Sequence, residues 1–369
     1  MKKTKTSTIS KKSIHEKIFF GLIILVLLLS SLNMAKAKGW LLPEPDKIII
    51  KEGNIIELDS LTLEQKIAQM IVVAGESINM DAWKKLQLGG IHMFAKESPI
   101  VYKDVLKEFQ SGMIIPFFVT MDLEGCINPL ANFYNSSTIY SINNIGQAFQ
   151  KGSEDGRMLK SLGFSINFAP VVDLGDQIWK CRAFNGDEKV ISEFAEAYIL
   201  GLQSQGIIAT IKHYPGKALV IKDPHKELVE VIIEEKDLYP YQFLVEKKEV
   251  KGLMVTHVIA SGLVDSEGKP ADASENIITP LKKEFNGLII SDEINMLGFK
   301  NFYKDDDKMY VDVFKGGSDI ILNFNNDPNE IYHMILVIKK AVENGEISEK
   351  NIDHSVKKIL EAKGFKVEE

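Results

Sequence analysis

Residues 206–213, GIIATIKH, join a β-branched apolar run to two basic side chains, Lys212 and His213. A short apolar run of this composition predicts a buried β-strand. The segments on either side, EFAEAYILGLQSQG (193–206) and LYPYQFLVEKKEV (238–250), have the spacing of amphipathic helices. Continuous apolar strands separated by helices are typical of a parallel sheet whose two faces are both covered.

The same alternation continues along the chain in both directions. We expect a helix capped by Ser60 to lead into a first strand within SLTLEQKIAQMIVVAG (60–75). Further strands are predicted at GGIHMF (89–94), IIPFFVTMD (114–122), FSINFAPVVD (164–173), GLMVTHV (252–258), GLIISDE (287–293) and SDIILNF (318–324). A G-x-G-x-x-G turn does not follow the first strand, and the chain carries no Walker, H-E-x-x-H or paired C-x-x-C motif. We therefore expect neither a nucleotide cofactor nor a metal.

Polar side chains recur where the predicted strands end. In a (β/α)₈ barrel the carboxyl ends of all strands meet on one face, and the active site is built there. The sequence therefore predicts an α/β fold, a (β/α)₈ TIM-type barrel forming a single catalytic domain. The side chains at or just beyond the strand ends are Asp122, Asp173, Lys212, His213, His257 and Asp292.

Two segments offer groups that could do chemistry. Asp292, in LIISDE, is either the N-cap of a following helix or a carboxylate able to attack an electrophilic carbon. Asp223 and His225 are separated by Pro224, which is also typical of an ordinary turn. A carboxylate beside an imidazole favours its protonated form, so His225 could donate a proton and later take one back.

Four other residues suit the binding of a polyhydroxylated ligand such as a sugar. Lys212, His213 and Arg182 could donate hydrogen bonds to its oxygens, and Asp122 could accept from its hydroxyls. Arg182 could equally form a surface ion pair, and a desolvated Lys212 could start Schiff-base chemistry. His257 is a candidate for lining the site, whereas His92 is expected to serve packing.

The first residues have the pattern of an export signal. Six lysines precede the apolar stretch IFFGLIILVLLLSSL, and Ala35 and Ala37 form a small-x-small cleavage site. We expect residues 1–37 to be a signal peptide or a membrane anchor, residues 38–59 a linker, and residues 60–369 the barrel. The protein would be exported, with a possible membrane tether.

Charge and cysteine content narrow the partners. Residues 1–37 carry seven Lys and one Glu, so removing them changes the formal net charge from −7 to −13. Such an acidic domain repels phosphate backbones, which argues against nucleic acid as a partner. Export would permit a disulfide between Cys126 and Cys181, and the sequence leaves their pairing open. We expect a monomer.

An ordered set of motifs resembles glycoside hydrolase family 3, in particular its single-domain β-N-acetylglucosaminidases. IKHYPGKALVIKDPH (211–225) is similar to the family's K-H-F-P-G-H-G segment and the Asp-Ser/Thr-His loop that follows it. NFAPVVDL, CRAFNGD, GLMVTHV, LIISDEINMLG and TMDLEG resemble further segments of the family. The matches run in family order from about Leu61 to Phe365.

This resemblance implies a role for each candidate. Asp292 matches the nucleophile, His225 the acid/base and Asp223 its partner, while Asp122, Arg182, Lys212 and His213 match the residues that bind the terminal sugar. The chain departs from the family where GKA replaces G-H-G, where DLEGCIN replaces D-x-E-G-G-R, and at Asp-Pro-His.

The resemblance and the candidate residues together imply a retaining β-N-acetylhexosaminidase. It would release terminal GlcNAc from β-linked oligosaccharides such as muropeptides or chitin fragments. The departures from the family motifs leave open a sugar-binding protein without turnover. The histidine acid/base leaves open a β-GlcNAc phosphorylase.

Overall fold

A computed structural model describes residues 11–218 and 228–368. Twelve strands lie in that part of the chain: β1 Ile55–Glu57, β2 Ile71–Ala74, β3 Gly90–His92, β4 Phe118–Met121, β5 Ile166–Asn167, β6 Ile208–Tyr214, β7 Glu230–Ile233, β8 Gly252–Val255, β9 Ile259–Gly262, β10 Leu288–Glu293, β11 Ile320–Leu322 and β12 Lys366–Glu368. Asp223 and His225 lie outside the described residues.

Twelve α-helices lie within the same ranges. They are α1 Lys11–Ala37, α2 Leu63–Gln69, α3 Met80–Lys85, α4 Pro99–Gln110, α5 Ile145–Leu162, α6 Glu188–Gln203, α7 Glu235–Glu246, α8 Glu275–Glu284, α9 Leu297–Tyr303, α10 Asp306–Gly316, α11 Pro328–Glu343 and α12 Glu349–Ala362. The helix that precedes β2 is capped by Thr62 rather than Ser60. Thr62 and Gln65 form a reciprocal capping box, whereas Ser60 ends a short 3₁₀ turn.

Eight of the strands close into a parallel barrel in the order β2-β3-β4-β5-β6-β8-β10-β11. The residues of β2, β3, β4 and β8 are all buried, as expected for strands covered on both faces. The predicted (β/α)₈ fold is confirmed. β5 is short, and Pro170 beyond it has no N–H to donate to a neighbouring strand.

Two short strands form a second sheet on the side where the barrel strands end. β7 follows β6 along the chain, β9 follows β8, and the two pair in parallel. In β7, Val231 and Ile233 are buried while Glu230 and Ile232 are exposed. This two-residue alternation is that of a sheet with one face on the core.

The N-terminal helix extends away from the barrel. Within α1, residues Glu16–Lys36 are apolar and long enough to cross a membrane, and the described residues hold no other such helix. The chain from Lys38 to Glu57 instead lies on the barrel: Leu42, Ile48 and Ile56 are buried. β1 pairs in parallel with β12, so the two ends of the barrel unit are held together.

Candidate active site

A cavity of about 300 Å³ opens at the C-terminal ends of the barrel strands. Five predicted site residues line it: Asp122, Arg182, Lys212, His213 and Asp292. Other side chains complete the wall, among them His92, Glu124, Phe168, Trp179, Glu293 and Phe324. Ala218, the last described residue before Asp223 and His225, also lines it. The barrel therefore brings together residues that are far apart in sequence, on the face where barrel enzymes carry their chemistry.

Lys212 is the central cation of the cavity. Its side chain is 2 % exposed, and Nζ lies 2.5 Å from both Asp122 Oδ1 and Glu124 Oε1. Burial disfavours the ammonium ion, but the two carboxylates outweigh it and raise the pKa of Lys212 above its usual value. Schiff-base chemistry needs a neutral amine, so this environment argues against that role for Lys212.

Arg182 forms a buried ion pair rather than a surface one. Its Nε donates to Glu124 Oε2 at 2.6 Å and its Nη2 donates to Glu124 Oε1 at 2.8 Å. This bidentate contact fixes the plane of the guanidinium. The Trp179 ring centroid lies 4.7 Å from the guanidinium carbon. Asp176 accepts hydrogen bonds from the backbone N–H groups of Trp179, Cys181 and Arg182, so one carboxylate shapes this loop.

Asp122 is the more accessible of the two carboxylates. Its side chain is 33 % exposed, whereas that of Glu124 is fully buried. Burial would raise the pKa of Asp122, but Lys212 and then His92 outweigh it and lower the value to about 2. Asp122 is therefore ionised at any physiological pH and can accept hydrogen bonds from ligand hydroxyls.

His213 is oriented by the carboxylate of Asp173, which is buried and does not itself line the cavity. Asp173 Oδ2 lies 2.8 Å from His213 Nδ1, and Asp173 Oδ1 accepts from the Tyr241 hydroxyl at 2.8 Å. Because Nδ1 is engaged by Asp173, Nε2 is the ring nitrogen that can meet a ligand.

Asp292 lines the cavity at the end of β10, and its Oδ1 accepts from the backbone N–H of Glu293 at 2.9 Å. The N-cap alternative is wrong, since α9 begins at Leu297 and its N-cap is Met296. The carboxylate thus belongs to the strand end and the cavity, not to a helix terminus.

The structure corrects the expectation for His257. This side chain is fully buried and is not among the residues that line the cavity. Its Nδ1 lies 2.8 Å from Asp272 Oδ2, and its Nε2 lies 2.8 Å from the Glu293 carbonyl oxygen. Burial disfavours the imidazolium, but Asp272 and, to a smaller extent, Asp292 outweigh it and raise the pKa to about 9. His257 is a buried cation behind the strand that carries Asp292.

His92, expected to serve packing, in fact lines the cavity as well. Its ring stacks between Phe168 and Phe324, and Nε2 lies 3.6 Å from Asp122 Oδ2. Burial, with a smaller effect of Lys212, lowers its pKa to about 4 against the attraction of Asp122. His92 is therefore a neutral polar group in an aromatic wall.

Sequence reasoning also missed Glu124 and Trp179 as site residues. Glu124 stands two residues after Asp122 in TMDLEG, and this pairing of carboxylates was the available signal. Trp179 lies in an irregular loop with no periodic pattern that would place it. The sequence left the pairing of the two cysteines open. In the structure Cys126 and Cys181 form a disulfide, with their Cα atoms 5.9 Å apart.

Comparison with known proteins places the chain in a family. The family model "Glycosyl hydrolase family 3 N terminal domain" matches residues 62–362. Beta-hexosaminidase LpqI of Mycobacterium tuberculosis is 26 % identical over 329 residues, covering 82 % of this chain and 83 % of that protein. Beta-hexosaminidase A of Pseudoalteromonas piscicida is 24 % identical over 289 residues, covering 69 % of this chain and 48 % of that protein.

Solved structures show the same fold. A family 3 β-N-acetylglucosaminidase from Paenibacillus superposes with a TM-score of 0.75 at 25 % identity, covering 82 % of this chain and 62 % of that one. A family 3 member from Mycobacterium smegmatis superposes with a TM-score of 0.75 at 24 % identity, covering 84 % of this chain and 99 % of that one. The match of the family model over most of the barrel shows that this chain belongs to glycosyl hydrolase family 3 and is a glycoside hydrolase.

Proposed function

We propose that the protein is an exo-acting, retaining β-N-acetylhexosaminidase that releases terminal GlcNAc from β-linked oligosaccharides. The observation that carries this proposal is a single cavity in which the Asp292 carboxylate meets the ionic cluster of Asp122, Lys212, Glu124 and Arg182. The cavity volume is at the lower end for small-ligand sites, which suits one sugar ring. The names of the relatives, β-hexosaminidase and β-N-acetylglucosaminidase, support GlcNAc as that sugar.

In this proposal the ionic cluster binds the sugar, and Asp292 at the end of β10 reacts with it. Asp122 accepts from sugar hydroxyls, and Arg182, Lys212 and His213 donate to sugar oxygens. Because the buried Glu124 carboxylate holds both Arg182 and Lys212, these two side chains are oriented before the sugar arrives, which reduces the reorganisation needed on binding.

The proposed reaction has two displacements. Asp292 attacks the anomeric carbon while the bond to the leaving oxygen breaks and His225 gives that oxygen a proton. Water then attacks the same carbon, His225 takes a proton from it, and the bond to Asp292 breaks, so the anomeric configuration is retained. Asp223 would favour the protonated form of His225. Muropeptides or chitin fragments are the proposed substrates of the exported protein.

The first experiment tests Asp292 with an aryl β-GlcNAc substrate. We expect Asp292→Ala to lose nearly all turnover, and added azide to restore part of it by giving the α-glycosyl azide, because a small anion can enter the space left by the carboxylate. Turnover by Asp292→Ala close to that of the wild type would remove Asp292 from the role of nucleophile.

The same assay separates the alternatives. Comparing aryl β-GlcNAc, β-GalNAc and β-glucoside, each with and without phosphate, identifies the preferred sugar and the acceptor. A sugar phosphate as the main product would identify a phosphorylase. Binding of GlcNAc without turnover of any of the three substrates would identify a sugar-binding protein. Replacement of His225 should slow substrates with poor leaving groups most, and equal losses for all leaving groups would contradict its role as general acid.

A further inference from the structure

The disulfide joins the two loops that carry the Arg182–Glu124 pair. Cys126 lies two residues after Glu124 in the loop following β4, and Cys181 immediately precedes Arg182 in the loop following β5. The bond therefore crosses from one cavity wall to the other within two residues of each partner of the ion pair.

The arginine loop needs such a fixed point. Between β5 and α6 the chain runs from residue 168 to residue 187 without a regular helix or strand. The two ends of this loop are fixed, because Val171 forms bridges with Lys212 and Ala183, whereas residues 174–181 between them contain no buried residue. In that outer part the Asp176 carboxylate accepts backbone hydrogen bonds, and Thr138 Oγ1 donates to the Cys181 carbonyl oxygen. Loops held by few contacts open more readily than core strands, and an opened loop would carry Arg182 and Trp179 away from the cavity.

A displaced arginine would also disturb the rest of the sugar-binding cluster. Glu124 Oε1 accepts from Arg182 Nη2 and also lies 2.5 Å from Lys212 Nζ. A shift of Arg182 would thus change the balance of charge around Lys212 and, through Lys212, around Asp122. Cys126 stands at the point where DLEGCIN departs from the family's D-x-E-G-G-R.

We propose that the Cys126–Cys181 disulfide is a positioning element of the sugar site, holding Arg182 and Trp179 against Glu124 so that the terminal sugar binds to a preformed cluster. This inference rests on the proposed function and extends it. Its effect falls on sugar binding, since Asp292 lies on β10, an element that the disulfide does not touch.

The test compares oxidised protein, protein reduced with a phosphine, and the Cys126→Ser/Cys181→Ser variant. Mass spectrometry counts the free thiols in each sample. For an aryl β-GlcNAc we expect reduction to raise KM about tenfold, the size of one lost charge-assisted contact, with kcat changed much less. The inhibition constant of free GlcNAc should rise in parallel. The double variant should match the reduced protein and be insensitive to the phosphine.

Arg182→Lys is the matched background in which to repeat the reduction, because it keeps the positive charge and loses the bidentate contact with Glu124. If the disulfide acts through Arg182, reducing Arg182→Lys should raise KM far less than reducing the wild type. An equal rise in both backgrounds, or a loss confined to kcat, would overturn the inference. Should the double variant fail to fold, reduction of the folded wild type gives the same comparison.

The two proposals fail in different ways. If the oxidised wild type neither turns over aryl β-GlcNAc nor binds GlcNAc, the proposed function is rejected, and this inference with it. If the oxidised protein is active and reduction leaves KM and the GlcNAc inhibition constant unchanged, only the positioning role of the disulfide is rejected.

Discussion

Both cations of the cavity, Arg182 and Lys212, pair with the same carboxylate, that of Glu124. Asp122 is recognisable because it directly follows β4, and Lys212 because it is a charged residue near the end of the apolar strand β6. Glu124 acts through Arg182 and Lys212, which approach it only when the barrel closes. Its fully buried carboxylate holds two cations, and this dual contact could not be derived from the spacing of residues along the chain.

The buried His257–Asp272 pair predicts a specific dependence of stability on pH. Folding raises the pKa of His257 from 6.5 to about 9, because Asp272 and Asp292 outweigh burial. A basic group with a raised pKa stabilises the fold while it is protonated in the folded state. This contribution is therefore complete below pH 6.5 and is lost as the pH rises through about 9. Replacing the imidazole by an amide removes the titration.

Urea unfolding of the wild type and of His257→Gln between pH 6 and pH 10 tests this expectation. The difference in unfolding free energy should be largest at pH 6 and should shrink toward pH 10. His333→Gln is the control, because His333 pairs with Asp307 on the surface, where both side chains are about half exposed. A constant difference between wild type and His257→Gln across the range would contradict the assignment of a charged His257.

At the scale of elements, two helices support the turn that carries Asp122 and Glu124. Asn167, in β5, bonds to both the N–H and the carbonyl of Leu123. Its amide also donates to the Tyr198 hydroxyl of α6, which in turn donates to Asp155 of α5. The geometry of the site therefore depends on how closely α5 and α6 pack.

This close packing requires glycine at the contact. A Cβ at Gly152 of α5 would lie 2.1 Å from the Tyr198 carbonyl oxygen of α6, which is backbone and cannot move aside cheaply. We expect Gly152→Ala to lower the free energy of unfolding by about 1–3 kcal/mol or more, the usual cost of overpacking. Denaturant unfolding measures this change.

Gly146→Ala is the matched control on the same helix. A Cβ there would meet only the end of the Asn144 side chain, at 3.3 Å. Its unfolding free energy should stay within about 0.5 kcal/mol of the wild type, as for most surface changes. Equal losses in the two variants would contradict the assignment of the loss at Gly152 to contact between α5 and α6, because alanine has a higher helix propensity than glycine.

The elements themselves were largely predictable, because strands buried on both faces read as apolar runs. Every predicted strand segment contains a strand of the barrel, and four of the six polar residues predicted at strand ends line the cavity. His257 was misplaced because a strand-end position does not reveal whether the side chain faces the cavity or the neighbouring helices. β7 and β9 were missed, since such short exposed strands form only against each other.

At the scale of the whole molecule, the barrel and the N-terminal helix are energetically separate. The apolar residues of α1 from Ile18 to Leu29 are largely exposed, so removing the helix uncovers no core. The chain that begins at Lys38 loses one ion pair, Lys36 with Asp327, in which both side chains are more than a third exposed.

We therefore expect residues 38–369 to unfold with a free energy within about 1 kcal/mol of the full chain, because exposed ion pairs contribute little. Chemical denaturation of the full chain and of residues 38–369, both in one mild detergent, compares their free energies of unfolding. A shorter chain that begins after Glu57 is the control: it loses the burial of Leu42, Ile48 and Ile56 and should be less stable by about 4 kcal/mol or more. A large loss on removing α1 alone would show that the helix belongs to the folded unit.

The path of residues 38–57 along the barrel determines how far an anchored enzyme could reach. α1 ends at Ala37, and the next residue, Lys38, already pairs with Asp81 in the first turn of α3, which begins on the side of the barrel where the cavity opens. Leu42, the first buried apolar side chain after α1, lies five residues beyond Ala37, so a retained helix would hold the domain within about 18 Å of the bilayer. With α1 retained, the enzyme would be confined to glycans at the membrane surface. Cleavage after Ala37 would remove this restraint.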